Sequence, residues 1–533
     1  MPEKPNIINI ESILGGQSEL RYFGSKGQFQ GSYAIDPDQP AADTGTQSLG
    51  ASGYLRPVPS KEIDNAATLA GAPMWMVTNP KDDKVYVYDA TGSAYTLDPA
   101  TYTLTALSDG GSLSSSSGNG CAYHKNYIYF FKNTDVARYG PLNGTAAFNG
   151  TYWTAGAVST TATVNTTYPS LVQATKALPN HPAHLHPHDG RLYFGDVSGN
   201  QGMIHYIDTT KTTVEGDTSE ASKYNALDLP HGYWPIDIES YNTDIAIALY
   251  EGNNDAGTFQ RRAKLSFWDT TATNFNKIID VEFPDPIITA LKNVNGVLYT
   301  FSGQPGALGT RVCRFLGGYS FEQVAYIDDS EPPFPGAVDA ILNRVLFGGL
   351  VSAVNGGTKL AGVYGLNSKT GKFNGIFNVM GATNSAATAD ITSLAVVDQD
   401  GFNFQIPVIG WTTGSAFGID RQTSTYDKVN PIFRSQTFRI GAPFKITKII
   451  FPLAQAVAAN MTVIPKIFVD EEATSYTLAT INNSNYTGSE KNIVQRPENA
   501  VGNHSFFLEL KWSGSVLCTM ALPITIEYEL LAD

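Results

Sequence analysis

A unit of roughly 50 residues recurs along most of the chain, and it restricts the possible folds more than any other feature of the sequence. Each copy contains a short apolar strand, a tight polar turn, a second strand rich in Val, Tyr, Phe or Leu, and one or two further strands between Gly, Asn or Asp turns. The copies start at Met74, Cys121, Ala183, Ile236, Ile287, Val338 and Ile391. This spacing is the period of a propeller blade made of four antiparallel strands.

The residues inside each copy favour strands over helices. Runs such as Val85-Tyr86-Val87-Tyr88 lack the i, i+3, i+4 pattern of an amphipathic helix. Asn295-Gly296, Asp189-Gly190 and Asp400-Gly401 each lie between the first and second strands of a copy, where a hairpin needs a positive φ. The sequence therefore predicts an all-β protein whose residues 71–432 form a seven-bladed β-propeller.

The two ends of the chain differ from the repeat. Residues 1–70 have little periodicity and many Gly, Pro, Asp and Ser, which predicts an extended N-terminal arm. Residues 433–533 contain short alternating segments such as FKITKIIF and SFFLELKW, which predict a separate β-sandwich. The sequence leaves open whether the propeller closes with a strand from the arm or with one from Phe433 to Ile440.

Composition disfavours several classes of protein. The 35 basic and 49 acidic residues give a net charge of −14, and the sequence contains no Lys/Arg-rich run. We therefore expect no nucleic-acid-binding surface and no sequence-specific binding of nucleic acid. The three cysteines, Cys121, Cys313 and Cys518, lie too far apart for a metal knuckle and are expected to be core thiols. No long apolar window predicts membrane insertion, and the N-terminus has no secretory pattern, so we expect synthesis in a cytoplasm.

The search for chemistry leaves one anomaly. No P-loop, GxSxG or HExxH motif occurs, so we expect no enzyme, no catalytic residue and no cofactor. In HPAHLHPHDG, strand alternation places His184, His186 and His188 on one face, and three imidazoles on one face could hold zinc or nickel. The alternative is a set of half-buried strand-edge histidines, since Pro187 interrupts the strand. We predict no metal site, with these three histidines as the candidates if one exists.

The organisation resembles that of tailed-bacteriophage virion proteins. The features that carry the resemblance are irregular propeller units with hairpins such as GRLYFGD and NGVLYTF, a low charge with much Gly, Thr and Asn, and a terminal region opening SQTFRIGAPFKITKIIFPL. In style the chain is most similar to propeller-containing tail or nozzle proteins. The resemblance implies a structural subunit of the virion tail that forms homo-oligomers and binds portal, adaptor, tail or fibre subunits.

A competing hypothesis is a glycan-binding or hydrolytic propeller that serves as an adhesin on a host surface. Such a site needs exposed Trp or Tyr side chains beside carboxylates at one mouth of the channel. The candidates for that role are Trp153, Trp234, Trp268 and Trp411.

Overall fold

The computed structural model of the chain defines which residues are described below. These are residues 5–13, 16–17, 28–36, 54–55, 57–58, 60–63, 69–82, 84–98, 101, 103–108, 113, 120–132, 136–153, 182–198, 201–207, 222–251, 262–272, 274–275, 278–304, 307–315, 319–328, 330–341, 344–351, 360–367, 375–382, 389–398, 405–422, 430–471, 474–486, 490–514, 516 and 518–531.

The regular structure of the described residues is β-strand, with one 3-10 turn at Pro335–Ala337. In chain order the strands are β1 (Asn6–Ile10), β2 (Gly16–Gln17), β3 (Gln28–Tyr33), β4 (Tyr54–Leu55), β5 (Ser60–Glu62), β6 (Pro73–Thr78), β7 (Val85–Asp89), β8 (Ala94–Leu97), β9 (Leu104–Ala106), β10 (Cys121–His124), β11 (Tyr127–Phe131), β12 (Val136–Gly140), β13 (Ala147–Trp153), β14 (Ala183–Leu185), β15 (Leu192–Ser198), β16 (Gln201–Ile207), β17 (Ser222–Asp228), β18 (Tyr233–Tyr241), β19 (Asp244–Glu251), β20 (Lys264–Trp268), β21 (Ile279–Glu282), β22 (Ile287–Val294), β23 (Val297–Gly303), β24 (Thr310–Phe315), β25 (Phe321–Ile327), β26 (Val338–Ile341), β27 (Arg344–Val351), β28 (Leu360–Asn367), β29 (Gly375–Gly381), β30 (Asp390–Asp398), β31 (Gln405–Thr412), β32 (Phe417–Gln422), β33 (Ile432–Ser435), β34 (Phe438–Arg439), β35 (Phe444–Pro452), β36 (Met461–Val469), β37 (Thr474–Thr477), β38 (Ile481–Asn482), β39 (Asn492–Gln495), β40 (Val501–Gly502), β41 (Ser505–Gly514), β42 (Met520–Ala521) and β43 (Ile524–Leu530). Within these ranges no helix has the length and hydropathy needed to cross a bilayer.

The chain divides into two compact units. We call Ile63–Gly349 with Thr388–Ile419 the cavity unit, and Met1–Glu62 with Leu350–Ala387 and Asp420–Asp533 the terminal unit.

The cavity unit consists of sheets whose strands follow one another in sequence. The four-stranded sheets are β6-β7-β8-β9, β10-β11-β12-β13, β14-β15-β16-β17, β18-β19-β20-β21 and β22-β23-β24-β25. The hairpins β26–β27 and β30–β31 continue the series. Every predicted start falls in the first strand of a sheet or hairpin, from Met74 in β6 to Ile391 in β30. The predicted all-β class and the four-stranded repeat are confirmed.

Two of the three predicted hairpin turns lie in the described residues and have the expected backbone. Asn295 has φ 52° and Gly296 has φ 83°, the left-handed conformations of a type I′ turn between β22 and β23. Gly190 has φ 69° between β14 and β15. The turn at Asp400-Gly401 lies outside the described residues.

Aromatic side chains pack between neighbouring sheets of the cavity unit. The rings of Tyr88 and Phe130 lie 5.3 Å apart between the first and second sheets, and those of Phe131 and Phe194 lie 5.0 Å apart between the second and third. The hydroxyl of Thr392 in β30 donates to the carbonyl oxygen of Pro73 in β6 over 2.6 Å. The last of these first strands therefore lies beside the first one, as the wall of a closed channel requires.

The terminal unit consists mainly of two larger sheets. One has the strand order β1-β43-β35-β39, with β40 also paired to β35; we call it the five-stranded sheet. The other has the order β2-β3-β33-β41-β36-β37, with β34 paired to β41 and β38 to β36. Buried side chains of the two sheets meet, because the ring of Phe444 in β35 lies 5.5 Å from that of Phe506 in β41.

The described strands before residue 70 differ from the expected arm. β1 pairs with β43, β3 with β33 and β4 with β42 within the terminal unit, and β5 pairs with residues Asp420–Gln422 of β32. The physical reason is burial: Phe29 is 2% exposed and its ring lies 5.5 Å from that of Phe433. Of the two closing strands left open by the sequence, β5 is the one that pairs with β32, whereas β33 belongs to the larger sheet of the terminal unit.

Candidate functional site

A cavity of about 420 Å³ lies inside the cavity unit. Its wall is made by the first strand of each successive sheet or hairpin, namely β6, β10, β14, β18, β22, β26 and β30. The lining residues that carry charge or can gain it at neutral pH are His184, Asp237, Glu239, Lys292 and Asp339. Since different strands supply them, the fold brings together groups that are up to about 155 positions apart in sequence.

Asp237 projects from β18 and joins it to β22. Its Oδ2 accepts a 2.6 Å hydrogen bond from the backbone N–H of Leu291, and its Oδ1 accepts a 2.9 Å bond from that of Ile238. Burial raises the pKa of Asp237 to about 8, against the opposing pull of these N–H groups. The nearby Glu239 carboxylate raises it further, so Asp237 is mostly protonated at neutral pH.

Lys292 and Asp339 form the ion pair of the cavity. The Lys292 Nζ lies 2.8 Å from the Asp339 Oδ1, which also accepts a 2.9 Å hydrogen bond from the N–H of Ala340. Burial by itself would lower the pKa of Lys292, but the Asp339 and Glu239 carboxylates outweigh it and raise that pKa. The ammonium group is therefore charged, and it joins β22 to β26.

The predicted histidine cluster is only partly brought together. His184 lines the cavity, where its Nε2 lies 2.6 Å from the Ser240 Oγ and 3.2 Å from the Glu239 Oε1. His186 lies buried behind it, with its Nδ1 2.9 Å from the same Ser240 hydroxyl. His188 is an exposed turn residue, since β14 ends at Leu185. Burial lowers the pKa of both His184 and His186, which keeps their rings neutral.

These contacts determine what the cluster can do chemically. Ring nitrogens of His184 and His186 converge on one atom, the Ser240 Oγ, and each is engaged in a hydrogen bond with that hydroxyl. In the part of the chain that the structure describes, no group of three or more His, Cys, Asp or Glu is placed to hold a metal ion. Asp237, Glu239 and Asp339 each contact a group of the same chain, so the arrangement ties neighbouring first strands together.

Sequence reasoning missed Asp237, Glu239, Lys292 and Asp339. Their signal was present as charged residues inside otherwise apolar first strands, for example Ile236-Asp237-Ile238-Glu239 in β18. Ionised side chains are rarely placed at such positions without a partner. One charged residue in the first strand of each of several copies therefore indicates a shared polar channel, and this pattern could have been found.

The aromatic candidates for a glycan platform are mostly inaccessible. Trp234 is 4% exposed, Trp268 1% and Trp411 3%. The side chain of Trp153 lies outside the described residues. A different residue, Trp75 of β6, is half-buried and lines the cavity. The predicted core thiols Cys121, Cys313 and Cys518 are buried and free.

Comparisons with known proteins give matches among solved structures. No protein-family model and no curated protein matches the sequence. The chain is similar to the WD40 domain of Pan2 from Neurospora crassa, with 10% identity over 69% of this chain and 95% of that one and a TM-score of 0.40. It is also similar to the β-propeller domain of Cps50 (Swd1) from Myceliophteria thermophila, with 11% identity over 68% and 100% of the two chains and a TM-score of 0.41. A third similar structure is Raptor from Chaetomium thermophilum, with 8% identity over 70% of this chain and 29% of that one and a TM-score of 0.43.

Proposed function

We propose that this chain is a non-catalytic structural subunit of a tailed-bacteriophage virion, of the tail or nozzle type. It is synthesised in the host cytoplasm, forms homo-oligomers and binds portal, adaptor, tail or fibre subunits. The resemblance in organisation described above motivates the proposal. The comparisons with solved structures carry no information about the virion.

We infer seven blades for the propeller and a β-sandwich for the terminal unit. The cavity wall supports the first inference, because each first strand that lines it would belong to one blade. The contact between Phe444 and Phe506 supports the second, because it joins the buried faces of two sheets. A rigid propeller disc and a sandwich together offer the large contact areas that an assembly protein needs.

The observation that carries the assembly role is the solvent face of the five-stranded sheet. Ile7 is 57% exposed, and Val494 and Val501 are each 38% exposed. All three lie on this face, because they stand opposite Glu527, Ile450 and Lys445 in the strand register. The same face carries the Lys448–Glu527 ion pair, so it offers both apolar and charged contacts to a partner, as protein interfaces do.

The arrangement of the cavity supports a structural role over a catalytic one. Its carboxylates and its ammonium group contact one another or backbone N–H groups, and those contacts link β14 to β18, β18 to β22 and β22 to β26. Such links stiffen the wall of a channel. A rigid ring that transmits load through a particle benefits from this kind of reinforcement.

The proposal is tested on purified particles from a culture that produces the protein. Immunogold electron microscopy with an antibody against the chain should label the tail or the portal vertex, and peptide mass spectrometry should find the chain at a constant ratio to the other particle proteins. A cytoplasmic host enzyme of similar abundance serves as the contamination control. Unlabelled particles whose mass spectra contain no more of this chain than of the control would overturn the proposal.

A further inference from the structure

Strand β1 forms one edge of the five-stranded sheet. It pairs antiparallel with β43, from Asn6 opposite Tyr528 to Ile10 opposite Ile524. Among the described residues no strand pairs with its other edge. A sheet edge of this kind offers a row of backbone N–H and C=O groups to another strand.

The sequence of β1 lacks the features that protect an edge from pairing. Asn6-Ile7-Ile8-Asn9-Ile10 has no charged residue, no proline and no glycine, and three of its five residues are β-branched. Natural edge strands are commonly protected by lysine, proline, a bulge or a covering loop. The register of β1 with β43 is continuous, without a bulge. This edge is therefore suited to accept a further strand.

The same sequence fits a second copy of itself. Two β1 strands related by a two-fold axis at Ile8 pair antiparallel, with Ile8 opposite its own counterpart and Ile7 opposite the counterpart of Asn9. No like charges meet. On the buried face, Ile449, Ile526 and Ile8 already form a row across three strands, and the Ile8 of a second copy continues that row.

We propose that a second copy of this chain pairs antiparallel with the open edge of β1, so that the five-stranded sheets of two copies join into one continuous sheet. The pairing gives an isologous dimer, in which the same surface contributes from both sides. The proposed dimer rests on the proposed function in one respect, because a virion subunit that forms homo-oligomers needs contacts between its copies.

The register of the pair gives a specific test by disulfide cross-linking of the full-length chain. Opposite Cβ atoms of an antiparallel pair lie about 4.5–5.5 Å apart, whereas diagonal neighbours lie farther away. Ile8→Cys should therefore form a covalent dimer under mild oxidation, and Ile7→Cys, which stands opposite the counterpart of Asn9, should not. The native cysteines do not interfere, because all three are buried.

A pair of lysine variants tests the same contact without cross-linking. Ile7→Lys places a charge on the β1 edge at an exposed position and should raise the dissociation constant at least tenfold in sedimentation equilibrium. The matched control is Val494→Lys on β39, at the opposite edge of the same sheet, which should dimerise as the wild type does. Thermal unfolding of both variants checks that the fold is retained.

The outcomes separate this proposal from the proposed function. A wild-type chain that stays monomeric at the highest concentration reached in sedimentation equilibrium would overturn the β1 pairing. A dimer that is weakened by Val494→Lys and not by Ile7→Lys would overturn it as well. Equal cross-linking of Ile8→Cys and Ile7→Cys would also overturn it. Particle labelling by the antibody would survive each of these results, because it depends only on the presence of the chain in the virion.

Discussion

The cavity unit and the terminal unit are both built from β-strands, but they pair those strands in opposite ways. In the cavity unit each strand pairs with the next one along the chain, as β22, β23, β24 and β25 do. In the terminal unit the main pairs join the two ends of the chain, such as β1 with β43 and β3 with β33. The cavity unit is thus specified by local turns, and the terminal unit by contacts that form only when distant segments meet.

The two units also place their charged groups differently. The cavity unit directs several charged side chains into one internal space, where Lys292 and Asp339 lie 2.8 Å apart. The terminal unit buries an ion pair between sheet strands, with the Arg434 Nε 2.7 Å from the Glu509 Oε2, and leaves apolar side chains on its outside. The charged groups of the cavity unit therefore point inward, whereas the outer face of the five-stranded sheet combines exposed apolar side chains with the Lys448–Glu527 ion pair.

The largest expected effect tests whether the two units unfold separately. Phe29→Ala removes a ring that is 2% exposed and packs on Phe433 in the terminal unit. The loss of a buried aromatic ring of this size costs about 3–5 kcal/mol of unfolding free energy. Hydrogen exchange followed by mass spectrometry should show faster exchange in strands β3, β33 and β41 and little change in the cavity unit.

The matched variant for this experiment is Phe267→Ala in the cavity unit. Phe267 is also 2% exposed, and its ring lies 5.4 Å from that of Tyr241 and 5.7 Å from that of Phe315. It should destabilise by a similar amount and speed exchange in β18, β20 and β24. If either variant accelerated exchange equally across both units, the units would unfold as one and the comparison would fail.

The same contrast explains what the sequence could predict. The first strands of the repeat were located because the pattern of strand, turn and strand recurs about every 50 residues, and three copies add a turn signal such as Asn295-Gly296. The pairing of β1 with β43 could not be predicted, because no local pattern in Asn6–Ile10 specifies a partner more than 500 residues away. An extended arm was the natural expectation for a segment with so little periodicity.

The candidate site divides in a similar way. His184 was singled out because four histidines are crowded into one short segment, and it does line the cavity. Asp237 and Lys292 lie in different first strands, β18 and β22, and only the ring of first strands brings them near each other. Local crowding is visible in one sequence, whereas a site assembled from separate repeats becomes visible only when the same position is compared between repeats.

The second prediction concerns the pH dependence of stability and tests whether the Asp237 carboxyl group is buried in the cavity. The pKa of Asp237 is raised from 3.8 to about 8, so its folded form holds a proton that the unfolded chain has already released. Its contribution to stability is fully present below about pH 4 and is lost as pH rises through 8. The unfolding free energy of Asp237→Asn should therefore rise by about 3–4 kcal/mol relative to that of the wild type between pH 5 and pH 9, since the three pH units from 5 to 8 are each worth about 1.4 kcal/mol.

Urea unfolding at pH 5, 7 and 9 measures this difference. Asp339→Asn is the matched control, because it removes a carboxylate of the same cavity that is ion-paired with Lys292. Asp339→Asn should lower the unfolding free energy relative to the wild type, and this loss should not become smaller as the pH rises. A constant difference between Asp237→Asn and the wild type from pH 5 to pH 9 would mean that Asp237 is ionised like an exposed carboxylate.

The smallest expected effect tests the dependence of the cavity unit on its local turns. Gly296 has φ 83° and nothing within 4 Å of the position where a Cβ would lie, so Gly296→Ala adds backbone strain without a steric clash. A left-handed alanine costs about 1 kcal/mol.

The control is Gly144→Ala, where the nearest atom to a new Cβ is the Pro141 Cγ at 3.6 Å and φ is not in the left-handed region. Chemical denaturation should give a loss of about 1 kcal/mol for the first variant and a few tenths or less for the second. Equal losses would indicate that the turn does not need its glycine and that long-range packing specifies the cavity unit as it does the terminal unit.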